Sequence, residues 1–93
     1  MITEVVFVYN DINQVKKIEG ALKTSSIFHF IDAKSKSGKK EGWAVKNYWG
    51  AKLDPFAIAI NGDAPIKAFY TEEGKDVVEE VINFIKQDNE DNT

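Results

Sequence analysis

Three aspartates, Asp11, Asp32 and Asp54, each fall near the end of an apolar run, and the one histidine, His29, lies between Phe28 and Phe30. Carboxylates brought together can exchange protons with a substrate. The spacing fixes no distance between these three, and solvated strand-end aspartates are the common case. His29 has no nearby nucleophile to activate, so packing or solvent exposure is expected for it rather than metal binding. There are no cysteines, which excludes disulfides, thiolate nucleophiles and cysteine-ligated metals. A single imidazole also cannot build the usual histidine metal clusters. No nucleophile–base pair assembles from these residues, so neither catalysis nor a cofactor is expected.

The charged residues point the same way. Net charge is −3, which disfavours nucleic acid as a partner. All 12 basic residues are lysine, and arginine is the better fork for phosphate and carboxylate. The densest basic stretch, "KSKSGKK" with Lys34, Lys36, Lys39 and Lys40 in and around it, is expected to be a solvated loop. It could touch phosphates, but it holds no aromatic side chain for stacking.

With 43% hydrophobic and 29% charged residues, the 93-residue chain suits one folded domain. No apolar run has the length of a membrane span, so no membrane partner is expected. The start "MITEVVFVYN" lacks a basic segment and a small-residue cleavage site, so the expected location is cytoplasmic.

Periodicity supplies the elements that must position these groups. Residues 2–9 are rich in Val, Ile, Phe and Tyr and read as a strand, with Val5 to Tyr9 buried on both faces. Residues 11–24 read as a helix: Asp11 caps it, Gln14 completes a capping box, and Ile12, Val15, Ile18 or Glu19, and Leu22 follow at helical spacing. Residues 27–33 form a second strand. "EGWAVKNYWG" is a weaker helix stopped by Gly50, since Gly42 and the aromatics are poor helix formers. Phe56, Ile58 and Ile60 alternate with Ala57 and Ala59, and Asn61-Gly62 signals a type I′ hairpin or a slightly longer turn into "PIKAFY". Pro65 fits a strand start or an edge. "EEGKDVVEEVINFIKQ" carries a stripe of Val77, Val78, Val81, Ile82 and Ile85 behind an Asp76/Glu79 capping pair. The result is one α/β domain over 1–87 in the order βαβαββα, a mixed four-stranded sheet flanked by helices, with an acidic, frayed tail over 88–93. The first two strands should be parallel and joined by a right-handed crossover.

This order, with a proline opening the third strand, resembles the thioredoxin fold at glutaredoxin size. The segment "NYWGAKLDPFAIAINGDAPIKAFY" is similar to that family's run from the second helix through the hairpin, with Tyr48, Gly50, Pro55, Phe56 to Ile60 and Asn61-Gly62 at the matching positions. The resemblance implies a cis Asp54-Pro55 bond, against a general frequency of about 5–6% for X-Pro bonds. It also implies a proline loop that offers backbone groups to an extended peptide. The departure lies in the Cys-x-x-Cys position, where "YNDINQV" places Asn10 or Asp11 and then Asn13 or Gln14. Without sulfur there is no dithiol exchange.

Two further sites are weighed beside that loop. A helix N-terminus at "NDINQ" could bind an anion, but Asp11 is expected to fill it as a cap. At "TEEGKD" the resemblance implies a glutathione-carboxylate turn matched by Gly74 and Asp76. Glu72 and Glu73 would repel that ligand, so glutathione is not expected. Trp49 is expected in the core, and Trp43 fits either the core or an exposed aromatic face. The expected function is a redox-inactive thioredoxin-like module that binds a protein or peptide segment through Asn10, Asp11, Asn13, Asp54, Pro55 and Trp43. The alternative is a structural subunit, homo-oligomeric through aromatics of the second helix or through a sheet edge, with no ligand site.

Overall fold

The computed structural model describes residues 1–23 and 25–91. The elements are β1 (Glu4–Tyr9), α1 (Ile12–Ala21), β2 (Phe28–Asp32), α2 (Lys36–Trp49), β3 (Phe56–Asn61), β4 (Ala64–Tyr70) and α3 (Val77–Asp91), with 3-10 turns at Ser25–Ile27 and Thr71–Glu73. This is the βαβαββα order. The strands form one mixed sheet in the order β2-β1-β3-β4. β1 runs parallel to β2 and antiparallel to β3, and β4 closes an antiparallel hairpin.

β1 is almost wholly apolar because it is central and covered on both faces. Val5 and Phe7 pack with Ala57, Ala59, Phe69 and the stripe Ile18, Leu22, Val77, Val78, Val81, Ile82 and Ile85. α1 and α3 therefore cover one face. On the other face Phe56 and Ile58 pack with Val45, Trp49 and Tyr70, and α2 covers them. The alternating large and small side chains of β3 are split between these two cores. Among the described residues, no helix is long and apolar enough to cross a membrane.

The structure corrects several sequence expectations. "KSKSGKK" is not a loop: Ser35 caps α2 by accepting from the Gly38 amide at 2.9 Å, and the helix starts at Lys36. Its buried face begins with Gly38 and Gly42, which offer no hydrophobic signal. A Cβ at Gly42 would lie 3.1 Å from Val8 Cγ1, so the missing side chain lets the helix approach the sheet. α1 ends at Ala21, short of the expected 24, and Thr24 lies outside the described residues. Ile12 is 51% exposed and leaves the stripe, because it occupies the first turn beyond the edge of the core. The hairpin turn is not type I′: Asn61 pairs with Ala64, and only Gly62, the first central residue, has positive φ, at 62°. That is the type II′ pattern, in which glycine is needed at one position only. Residues 88–91, expected in a frayed tail, continue α3; Asp88 accepts from the Ile2 amide at 3.0 Å, and Asn92 and Thr93 lie outside the described residues. Pro65 lies in the edge strand β4, where a missing N–H is tolerated.

Candidate functional site

The turn between β1 and α1 is a closed set of local bonds. Asp11 Oδ1 accepts from the Asn13 amide at 2.9 Å. Gln14 Oε1 accepts from the amides of Asn10 and Asp11 at 3.1 and 3.4 Å, and Gln14 Nε2 donates to Asn10 Oδ1 at 2.9 Å. Asp11 is thus a helix cap, and its carboxylate already serves α1.

The loop before β3 is held from three sides. The Asp54-Pro55 peptide bond is cis. Pro55 O accepts from Thr71 Oγ1 at 2.6 Å. Asp54 Oδ1 lies 2.6 Å from Lys46 Nζ on α2, and both side chains are largely buried. Glu72 receives the amides of Lys52 and Leu53 at 2.9 and 3.2 Å. The Lys52 amide is the main reason the Glu72 carboxyl titrates below its ordinary value; weak burial opposes the shift, and the Leu53 amide and Lys46 add to it.

The six sequence-derived site residues fall into three neighbouring surfaces. Asn13 and Pro55 share a groove of about 400 Å³ with Gln14, Lys17, Thr71, Lys75, Asp76, Val77 and Val78. Asn10 and Asp11 line a separate depression with Tyr9, Ile12, Asp32 and Lys34. Trp43, 65% exposed, stands over a third cleft with Lys46, Asn47, Ala51 and Lys52. Asp54 reaches that third region only through its ion pair with Lys46.

The aspartates therefore do not converge. Asp11 and Asp32 share one depression, each already accepting a backbone amide, and Asp54 is neutralised elsewhere. Among the described residues no group of three acidic or histidine side chains could hold a metal ion. His29 Nε2 lies 2.7 Å from Glu41 Oε1, so the histidine joins β2 to α2 at the surface.

The groove's chemistry also differs from expectation. Glu72 and Glu73 do not line it, and Glu72 is turned to the loop amides instead. Its charged rim is Lys17, Lys75 and Asp76. Asp76 Oδ1 accepts from the Glu79 amide at 3.3 Å, and Lys17 and Lys75 pair with Glu79 and Glu80 at 3.1 and 3.5 Å. Sequence reasoning missed Lys17, Thr71 and Lys75 as groove residues and Lys46 as the Asp54 partner. Only Lys46, eight residues before Asp54, lay close enough in the chain to suggest a pairing. Comparison with protein-family models, curated proteins and solved structures finds no match to this chain.

Proposed function

We propose that this chain is a redox-inactive thioredoxin-like module that binds an extended segment of a partner protein in the groove between the α1 start and the proline loop. One observation carries the reading. Asn13 and Pro55, far apart in sequence, meet across an open groove whose lining includes Val77 and Val78. A preformed groove with both apolar and polar lining suits a peptide. The absence of cysteine removes thiol exchange from the same place, and recognition is the role proposed for it. Asn10, Asp11 and Asp54 then act as positioning groups: they hold the turn and the loop that form the walls. Lys17 and Lys75 favour a segment with a carboxylate near its apolar anchor, though each lysine already has a glutamate beside it.

The test is selection of peptides from a random displayed library on the immobilised protein, followed by affinity measurement on the converging sequences. Asn13→Arg should obstruct the groove and weaken them by about tenfold or more, the loss of one good contact. Asp63→Arg at the hairpin tip should leave them unchanged. No convergent sequence, or equal binding by the folded Asn13→Arg protein, would sink the assignment.

A further inference from the structure

We propose that the outer face of α2 binds single-stranded nucleic acid, with Lys36, Lys39, Lys40 and Lys52 meeting phosphates and Trp43 stacking a base. As a loop, the lysine run would have no aromatic beside it. As the first turns of α2, it shares a face with one. Lys36, Lys39 and Lys40 lie seven, four and three residues before Trp43, and Asn47 lies four after it, which places all five on one side of the helix. All of them are exposed.

Charge complementarity selects an anionic occupant. Residues 34–52 carry six of the chain's 12 lysines; against them stand Glu41, which faces His29, Asp54, which pairs with Lys46, and Glu72, which accepts from the Lys52 amide. Among the described residues Lys36, Lys39, Lys40 and Lys52 have no ion-pair partner, in a chain whose net charge is nonetheless −3. Fields at a surface are screened within about 8 Å at physiological salt, so the local excess governs what docks there.

The cleft beside the stripe selects among anions. Its about 260 Å³ are bounded by the Trp43 indole, the Asn47 amide, Ala51, Lys46 and Lys52. An aromatic wall, an amide and a free lysine fit a base, its polar edge and its phosphate. A lipid surface fits less well. A membrane-surface helix needs its apolar face free, whereas α2 commits Gly38, Gly42, Val45 and Trp49 to the sheet side. Tyr48, 82% exposed, is not contiguous with Trp43, since five residues carry it about 140° around the helix. This surface is separate from the Asn13–Pro55 groove, so either proposal can fail alone.

The experiment is fluorescence anisotropy of a labelled oligothymidylate with the full chain at low and physiological salt. Binding should weaken steeply as salt rises. Trp43→Ala should cost about tenfold at unchanged salt slope, and Trp43→Phe should restore most of it. The triple variant Lys36→Gln, Lys39→Gln, Lys40→Gln should lower the slope by about 2 units, three contacts at about 0.7 each. Circular dichroism checks that these surface variants remain folded. No binding by the unaltered protein at about 50 mM salt overturns the proposal. So does equal affinity for Trp43→Ala, for polyglutamate of matching length, or for phosphatidylserine vesicles.

Discussion

Glu72 fastens the loop ahead of Pro55 by accepting from two successive amides, at 2.9 and 3.2 Å. Those donors favour the ionised carboxylate, so its pKa is lower in the fold than its ordinary value of 4.5. A lowered folded pKa means stabilisation that is fully present above the ordinary value and is lost as pH falls through the folded one. Glu72→Gln should therefore be less stable than the parent at neutral pH, with the gap closing in acid. Urea melts over a pH series measure this, and a gap constant with pH would refute it. Glu72 is solvent-exposed, so the effect should be small. Its role was not legible in the sequence, where it reads as a repulsive charge in "TEEGKD"; its partners lie about twenty residues upstream. The Asp11–Gln14 capping box was legible because all its partners fall within four residues. Local bonds can be read from spacing; the bonds of Thr71 to Pro55 and of Glu72 to the Lys52 amide appear only once the elements are in place.

At the scale of the element, α2 separates two kinds of glycine. A Cβ at Gly38 would collide with the Asp32 backbone carbonyl, a rigid neighbour. At Gly42 the nearest atom is a valine methyl at 3.1 Å, which can give slightly. Gly38→Ala should cost more than about 2 kcal/mol by overpacking. Gly42→Ala should be nearly neutral, because about 1 kcal/mol of helix propensity offsets the crowding. Urea midpoints read both, and a Gly38→Ala protein as stable as its parent would place the α2 start wrongly. The same glycines explain why the helix start was illegible. Helices are read from large apolar residues at period 3.6, and α2 opens with small ones inside and lysines outside. The apolar stripe of α3, five large residues on one side, was legible; its last turn, residues 88–91, was not.

Across the whole molecule, the order βαβαββα follows from where apolar runs fall, and the central position of β1 follows from its unbroken apolarity. Phe7, fully buried beneath α1 and α3, tests that core. Phe7→Ala should lose about 3–5 kcal/mol. Loss of β1 packing should unfold both faces together, so Trp49 fluorescence in a Trp43→Phe background and far-ultraviolet dichroism should give coincident transitions. Separate transitions would mean that the two cores fold independently. The division of the six candidate residues among three surfaces was not legible, because it depends on which side of the sheet each connection crosses. The contact between the start of β1 and the last turns of α3 carries one more consequence. The Met1 amino group lies 3.9 Å from Asp88 Oδ1, and the Ile2 amide donates to the same carboxylate. A short linker from the end of α3 to the start of β1 could close the described fold, and the chain could be reopened between Gly62 and Asp63 at the exposed hairpin tip. The polypeptide would then begin with β4 and finish with β3, and the same sheet would form from a circularly permuted gene.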